Sequence, residues 1–356
     1  MVTPAPAGPE LDRARMTLKT LTLDSRALTG NPLGDPATRD ILILSPAGAD
    51  SDGTLPVVYL LPGFGSRPEH VLGGSALGPS LPELFGSAMA RGIVPRCHVA
   101  IPDCTTRYGG SQYIDTPSCG RYQSFLADEV FARVEQHLDA AARHRAVIGK
   151  SSGGYGALLL ALQRPGSVDG VCAQSPDAGF EHCYLSLLPR VLDTLRRHGG
   201  LEGLLASLEP YADDPVANHG PGPAATTPRD SAFMVAMSLV AMSVCYGAEP
   251  ATPVRALFPC DPDTGQFRDE VWRRWLRFDP VRLVPAHAAG LSRLGLLHLD
   301  VGTADEYAMT WGTRALHDAL LRAGVAHSYA EHNGGHHGTE NRFLVSLAAL
   351  GAHWNR

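Results

Sequence analysis

Charge of one sign never accumulates along this chain. Its 356 residues carry 30 Lys and Arg against 36 Asp and Glu, a formal net charge of −6, with no basic block and no acidic tail. The electrostatic footprint of a nucleic-acid binder is therefore missing, and no nucleic-acid partner is expected. Long apolar runs are scarce too. The longest, within 231–245, is too short to cross a bilayer and reads as a buried helix, so no membrane partner is expected either. The Pro- and Ala-rich first ten residues have no basic segment leading into an apolar core, so they do not read as a secretory signal. Paired cysteines are absent: Cys97, Cys104, Cys119, Cys172, Cys183, Cys245 and Cys260 form an odd set with no CxxC and no zinc-like spacing. Most sit among apolar neighbours and read as free buried thiols. Together these absences lead to the expectation of a soluble, reduced, cytoplasmic protein.

What is present is globular. Apolar residues make up 44% and charged residues 19%, enough for a sizeable core. Residues 1–15 read as a loose leader, and 16–356 as a single domain. Residues 16–24 largely alternate polar and apolar side chains, as a half-exposed strand does, and 39–45 read as a second strand. Residues 57–61 (Val-Val-Tyr-Leu-Leu) are continuously apolar, as in a strand covered on both faces. A helix follows at 81–91, a buried strand at 98–103, a long loop at 104–120 and an amphipathic helix at 121–141. Strand 145–148, helix 157–162 and strand 170–175 come next. After the two opening strands, this alternation predicts an α/β class with a largely parallel sheet and helices on both faces.

From 180 to 284 the rhythm breaks. Helical stretches at 187–197, 201–208, 231–245 and 270–277 surround a Pro/Gly/Asn loop at 213–229, with no clear strand. The segment reads as a helical insertion, either lying over the strand ends as a cap or packing beside the sheet. The sheet resumes at 296–301, followed by helix 310–323, strand 327–331 and a closing helix at 341–353. There is no internal repeat.

The organising stretch is Gly149-Lys150-Ser151-Ser152-Gly153, set between an apolar strand and an apolar helix. Gly-x-Ser-x-Gly in that context predicts a nucleophile elbow, with Ser151 on a strained turn and Gly149 and Gly153 clearing space around it. A serine hydroxyl needs a histidine to take its proton and a carboxylate to orient that histidine. In a doubly wound sheet such groups gather at the carboxyl ends of strands. Ser151, Asp305 and His336 follow three strands in that chain order. Glu306 is adjacent to Asp305 and stays open as the acid. Asp305 is preferred because it lies just past the turn 302–304, while Asp300 sits within the strand pattern and reads as structural. His332 and His337 share the loop with His336, which is preferred because Gly334-Gly335 frees the backbone before it. The competing reading is a metal site on Glu331, His332, His336 and His337. It lacks the HExxH helix pattern and a second ligand group, so no metal and no cofactor are expected. An oxyanion hole needs two donors, for which the backbone N–H groups of Ser152 and Phe64 are the candidates. Tyr108, Tyr113 and Phe180 are candidates for lining a substrate pocket, with ordinary core packing as the alternative, above all for Phe180.

These pieces resemble the esterase-D-like group of α/β-hydrolases, which includes S-formylglutathione hydrolases, antigen-85-type mycolyltransferases and siderophore esterases. The matching stretches are Leu60-Leu61-Pro62-Gly63-Phe64, residues 149–157, Gly302-Thr303-Ala304-Asp305-Glu306-Tyr307 and Gly334-Gly335-His336. The resemblance implies an α/β-hydrolase fold whose first strands form an antiparallel edge. It implies Ser151 as nucleophile, Asp305 as acid, His336 as base and Phe64 as an oxyanion donor. Lys150 and Ser152 beside the nucleophile, His337 after the histidine and the segment 180–284 depart from the common pattern. The function expected is a serine carboxylic-ester hydrolase acting on a small-molecule ester. Transfer of the same acyl group to an alcohol or amine is the alternative, and a non-catalytic binding protein on a hydrolase fold is the third reading. Self-association is left open.

Overall fold

The computed structural model describes residues 14–49, 54–74, 78–139, 144–208 and 231–355. The expected leader over 1–15, except its last two residues, and the loop at 213–229 lie outside them. Among the described residues there are ten strands: β1 (Met16–Asp24), β2 (Thr38–Pro46), β3 (Val57–Leu61), β4 (His98–Pro102), β5 (Asp115–Thr116), β6 (Gly120–Arg121), β7 (Arg145–Lys150), β8 (Gly170–Gln174), β9 (Leu296–Gly302) and β10 (Ser328–His332). Eight of them form one sheet in the order β1-β2-β4-β3-β7-β8-β9-β10. β1 and β2 join it antiparallel, and the ladder from β4 to β10 is parallel throughout.

Burial explains the arrangement. β3, β4 and β8 are buried at every residue, which is what a continuous apolar run permits at the centre of a sheet. β1, with its polar alternation, is mostly exposed and takes the edge. Successive side chains of a strand point to opposite faces. Val57, Tyr59, Leu61, Val147 and Val171 therefore enter one core, under the helix Ser152–Gln163. Val58, Leu60, Ile148 and Cys172 enter the other, under the helices Leu81–Ala90 and Arg342–Trp354 through Phe85, Phe343, Leu347 and Leu350. The α/β-hydrolase architecture, with helices on both faces, follows from this two-sided burial.

Several elements differ from the sequence expectation. The end of the 104–120 loop forms a two-stranded ribbon, β5 with β6, in its own sheet, and Arg121, expected to open the next helix, is part of it. The helix expected over 121–141 is built as Tyr122–Ser124, a π-helical Phe125–Val130 and Phe131–His137. The sequence reading has no helix at Pro280–Leu291, which forms although Pro285 and Gly290 are poor helix residues. Pro280 sits at its first turn, where a missing N–H costs nothing, and the Asp279 carboxylate caps it by accepting from the Val281 N–H at 3.0 Å. Asp279 also accepts from the N–H groups of Gly179 and Phe180, tying the end of the β8 loop to this helix. Between 180 and 284 the main helices are Leu188–Arg197, Gly200–Ala206, Ser231–Gly247 and Asp269–Trp275.

Candidate active site

β7 ends at Lys150, and the chain turns within one residue into the helix Ser152–Gln163. Ser151 occupies the turn at φ 57°, ψ −125°, a region costly for a residue with a Cβ. The strain is held from both sides. A Cβ on Gly149 would meet the Gly153 carbonyl oxygen at 2.1 Å, and one on Gly153 would meet the Leu61 carbonyl oxygen at 1.9 Å. The Ser151 N–H donates to the Gln174 carbonyl at 2.9 Å, which locks the turn to β8. Ser152 opens the helix, so its N–H belongs to the first turn that has no acceptor within the helix.

Asp305 follows β9, and His336 follows β10. Their side chains meet, with His336 Nδ1 2.8 Å from Asp305 Oδ2, and both are nearly enclosed. The other oxygen of Asp305 accepts from the Tyr307 N–H at 3.0 Å and the Met309 N–H at 3.4 Å. Burial pushes the Asp305 carboxyl up. The His336 hydrogen bond and charge, the Tyr307 N–H and the Ser175 hydroxyl outweigh it and hold the group below the usual carboxylate value. Glu306 points elsewhere: its Oε2 accepts the backbone N–H of His336 at 2.6 Å, bracing the loop.

The remaining loop histidines have separate partners. His332 Nε2 lies 3.4 Å from Asp300, which also forms an ion pair with Arg342. His337 Nε2 meets the Tyr307 hydroxyl at 3.1 Å, and Glu331 pairs with Arg314. The ligand set of the competing metal reading thus faces four ways. Among the described residues no group of three or more His, Cys, Asp or Glu is placed to hold a metal ion.

Ser151, Ser152, Phe64 and His336 line one cavity of about 810 Å³. Leu72, Leu81, Leu84 and Phe343 contribute apolar wall, and Met234, Val235 and Met242 contribute more from the helix Ser231–Gly247. Lys150 also lines it; burial pulls its ammonium below the usual lysine value, against the opposing charges of Glu340, Asp305 and Glu306.

Tyr108, Tyr113 and Phe180 do not line this cavity. Tyr108 is half-buried against the core, and Phe180 is fully buried, edge-on to Tyr184 at 4.8 Å between ring centres. Tyr113 is buried and donates its hydroxyl to the Pro62 carbonyl at 2.6 Å, bracing the turn that carries Phe64. Gln112 and Tyr113 both take positive φ, near 54° and 55°, in the left-handed region that residues with a Cβ seldom adopt.

Sequence reasoning missed Asp177, which lies three residues beyond β8 and lines the cavity between Ser152 and Tyr184. The strand-end rule could have found it, since β8 ends beside β7. Asp177 is 2% exposed. Its Oδ2 accepts from Tyr184 Oη at 2.8 Å, Gln112 Nε2 at 3.0 Å and Ser152 Oγ at 3.1 Å. Its Oδ1 lies 3.5 Å from Ser151 Oγ, a long contact. Burial raises the Asp177 carboxyl above its ordinary value, although Tyr184, Gln112, Ser152 and the nearby His336 all pull it down.

A strained serine on a strand-to-helix turn and an Asp–His pair at the ends of β9 and β10 are features that related chains can be compared for. The family described as "Putative esterase" matches residues 36–351. The chain belongs to that family. Solved structures share the fold at low identity. A ferulic acid esterase aligns at 15% identity with a TM-score of 0.58, covering 95% of this chain and 99% of its own. An S-formylglutathione hydrolase from Agrobacterium tumefaciens aligns at 17% and 0.54, covering 95% of this chain and 93% of its own. FphF, a fluorophosphonate-binding serine hydrolase of Staphylococcus aureus, aligns at 13% and 0.54, covering 94% and 99%. No curated protein matches the chain. At these identities the structural likeness shows the α/β-hydrolase fold alone. Among the described residues no helix is long and apolar enough to cross a membrane.

Proposed function

We propose that this esterase-family protein hydrolyses a small-molecule carboxylic ester through an acyl-enzyme on Ser151. The observation that carries the reading is the 2.8 Å contact between His336 Nδ1 and Asp305 Oδ2, with His336 lining the same cavity as a serine held at φ 57°. Asp305 orients the His336 ring so that Nε2 is the nitrogen free to act. His336 takes the Ser151 proton as Oγ attacks the ester carbonyl. The N–H groups of Ser152 and Phe64 stabilise the oxyanion as the tetrahedral intermediate forms. Collapse breaks the ester C–O bond, and the imidazolium gives its proton to the departing alcohol. Water then attacks the acyl carbon with His336 as base again, releasing the acid and restoring Ser151. The segment 180–284 acts as a cap, a reading supported by Tyr184, Leu187, Met234 and Met242 in the cavity wall.

Covalent labelling with a fluorophosphonate, read by peptide mass spectrometry beside turnover of p-nitrophenyl esters, tests this. One phosphonyl group on Ser151 is expected, with label and turnover both lost in Ser151→Ala. A folded wild-type protein that neither labels nor turns over ester overturns the reading.

A further inference from the structure

Asp177 has no part in the hydrolysis just described, yet its Oδ1 lies 3.5 Å from the Oγ of Ser151. Its two oxygens have different surroundings. Oδ2 is saturated by Tyr184, Gln112 and Ser152, and Tyr184 and Gln112 are themselves held by the Tyr246 hydroxyl at 3.1 and 2.7 Å. That network fixes the carboxyl in place. Among the described residues Oδ1 has one hydrogen-bond partner, the distant Ser151 Oγ, and Asp177 is one of the residues lining the cavity. A buried polar atom so placed, with its carboxyl locked from behind, is built to receive a partner from the ligand.

We propose that Asp177 is the acyl-specificity residue of the site and that it holds the hydroxyl of an α-hydroxy acyl ester. The inference rests on Ser151 being the nucleophile. In the acyl-enzyme the carbonyl carbon is bonded to Ser151 Oγ, so an α-hydroxyl oxygen is three bonds from Oγ. At about 1.5 Å per bond it lies roughly 3 Å away, beside an acceptor that is itself 3.5 Å from Oγ. A β-hydroxyl adds a freely turning bond whose freezing opposes the contact. A hydroxyl also suits the acid better than a charged group does. It donates to a carboxylate and accepts from a carboxylic acid, whereas an ammonium matches only the first and a carboxylate only the second. By occupying Oδ1, the substrate also removes the competitor for the Ser151 hydroxyl and leaves that proton to His336.

The test compares kcat/KM for ethyl lactate with that for ethyl propionate, followed by pH-stat titration, in wild type, Asp177→Ala and Asp177→Asn. The variant-to-wild-type double ratio cancels the intrinsic reactivity of the two esters. The wild-type preference for lactate is expected to fall at least tenfold in Asp177→Ala and to be largely kept in Asp177→Asn, whose amide can still bond a hydroxyl. A merely structural Asp177 would slow both esters alike. Should Asp177→Ala not fold, wild type alone decides, with ethyl 2-methoxypropionate matching the electron withdrawal of lactate but lacking its O–H. Lactate is then expected to be at least tenfold better. A double ratio near one, equal rates for lactate and its methyl ether, or a stronger preference for ethyl 3-hydroxybutyrate or ethyl alaninate overturns the inference. Failure of the parent reading looks different: no fluorophosphonate label on Ser151 and no ester turned over at all.

Discussion

Two adjacent carboxylates, Asp305 and Glu306, have opposite assignments. Asp305 holds the His336 ring, while Glu306 holds the His336 backbone. Asp305→Asn keeps the shape but offers the ring an amide, favouring the wrong tautomer, and kcat on a p-nitrophenyl ester is expected to fall by about 10³-fold or more. Glu306→Gln still accepts the backbone N–H and is expected to cost less than about tenfold, one neutral-for-charged hydrogen bond. Reversal of that order would move the acid to Glu306. Asp177 makes a separate prediction for stability. Its folded-state value is raised by burial, so the folded chain binds this proton more tightly than the unfolded chain. Stability from that proton is present at low pH and lost as pH climbs from the ordinary carboxylate value, near 4, through the raised one. Asp177→Asn has no proton to lose. Its Tm minus the wild-type Tm is expected to increase from pH 4 to pH 8, as differential scanning fluorimetry would show.

The elbow is a property of elements rather than of single side chains. β7, the helix Ser152–Gln163 and β3 approach closely enough that a Gly153 Cβ would lie 1.9 Å from the Leu61 carbonyl oxygen. Backbone on both sides leaves nothing flexible to give way. Gly153→Ala is expected to destabilise the fold by about 3 kcal/mol or more, read by denaturant unfolding. A loss under about 1 kcal/mol would show that the turn can open. Legibility at this scale was uneven. The alternating β1 and the apolar β3 could be read because their burial follows their pattern. The helix Pro280–Leu291 could not, because Asp279 and packing against neighbouring helices outweigh the low propensity of Pro285 and Gly290. The ribbon β5–β6 was equally hidden: two-residue strands carry no periodicity to read.

On the scale of the whole molecule, the cavity is walled by residues from several separate stretches of chain, from the strand ends at Leu61 and Lys150 to the helices Leu81–Ala90 and Ser231–Gly247. Met242, on the helix Ser231–Gly247, fills part of its wall. Met242→Trp adds volume there and is expected to shift the preferred p-nitrophenyl ester toward shorter acyl chains, while labelling of Ser151 by a small fluorophosphonate is retained. An unchanged chain-length profile would place the acyl group against the other wall, near Leu81, Leu84 and Phe343.

By itself the sequence determined the local chemistry and its order along the chain. Gly-x-Ser-x-Gly between a strand and a helix, an acid after β9 and a histidine after β10 are all short-range signals, and backbone sterics and hydrophobic periodicity write such signals directly. Tertiary structure alone decided which side chains share space. It turned Tyr108, Tyr113 and Phe180 away from the cavity and gave His332 to Asp300 and Glu306 to a backbone N–H. It also brought Asp177 to within 3.5 Å of Ser151 across 26 residues of chain. Direction and proximity depend on strand register, helix packing and burial, which many distant residues set together and no short stretch of sequence contains.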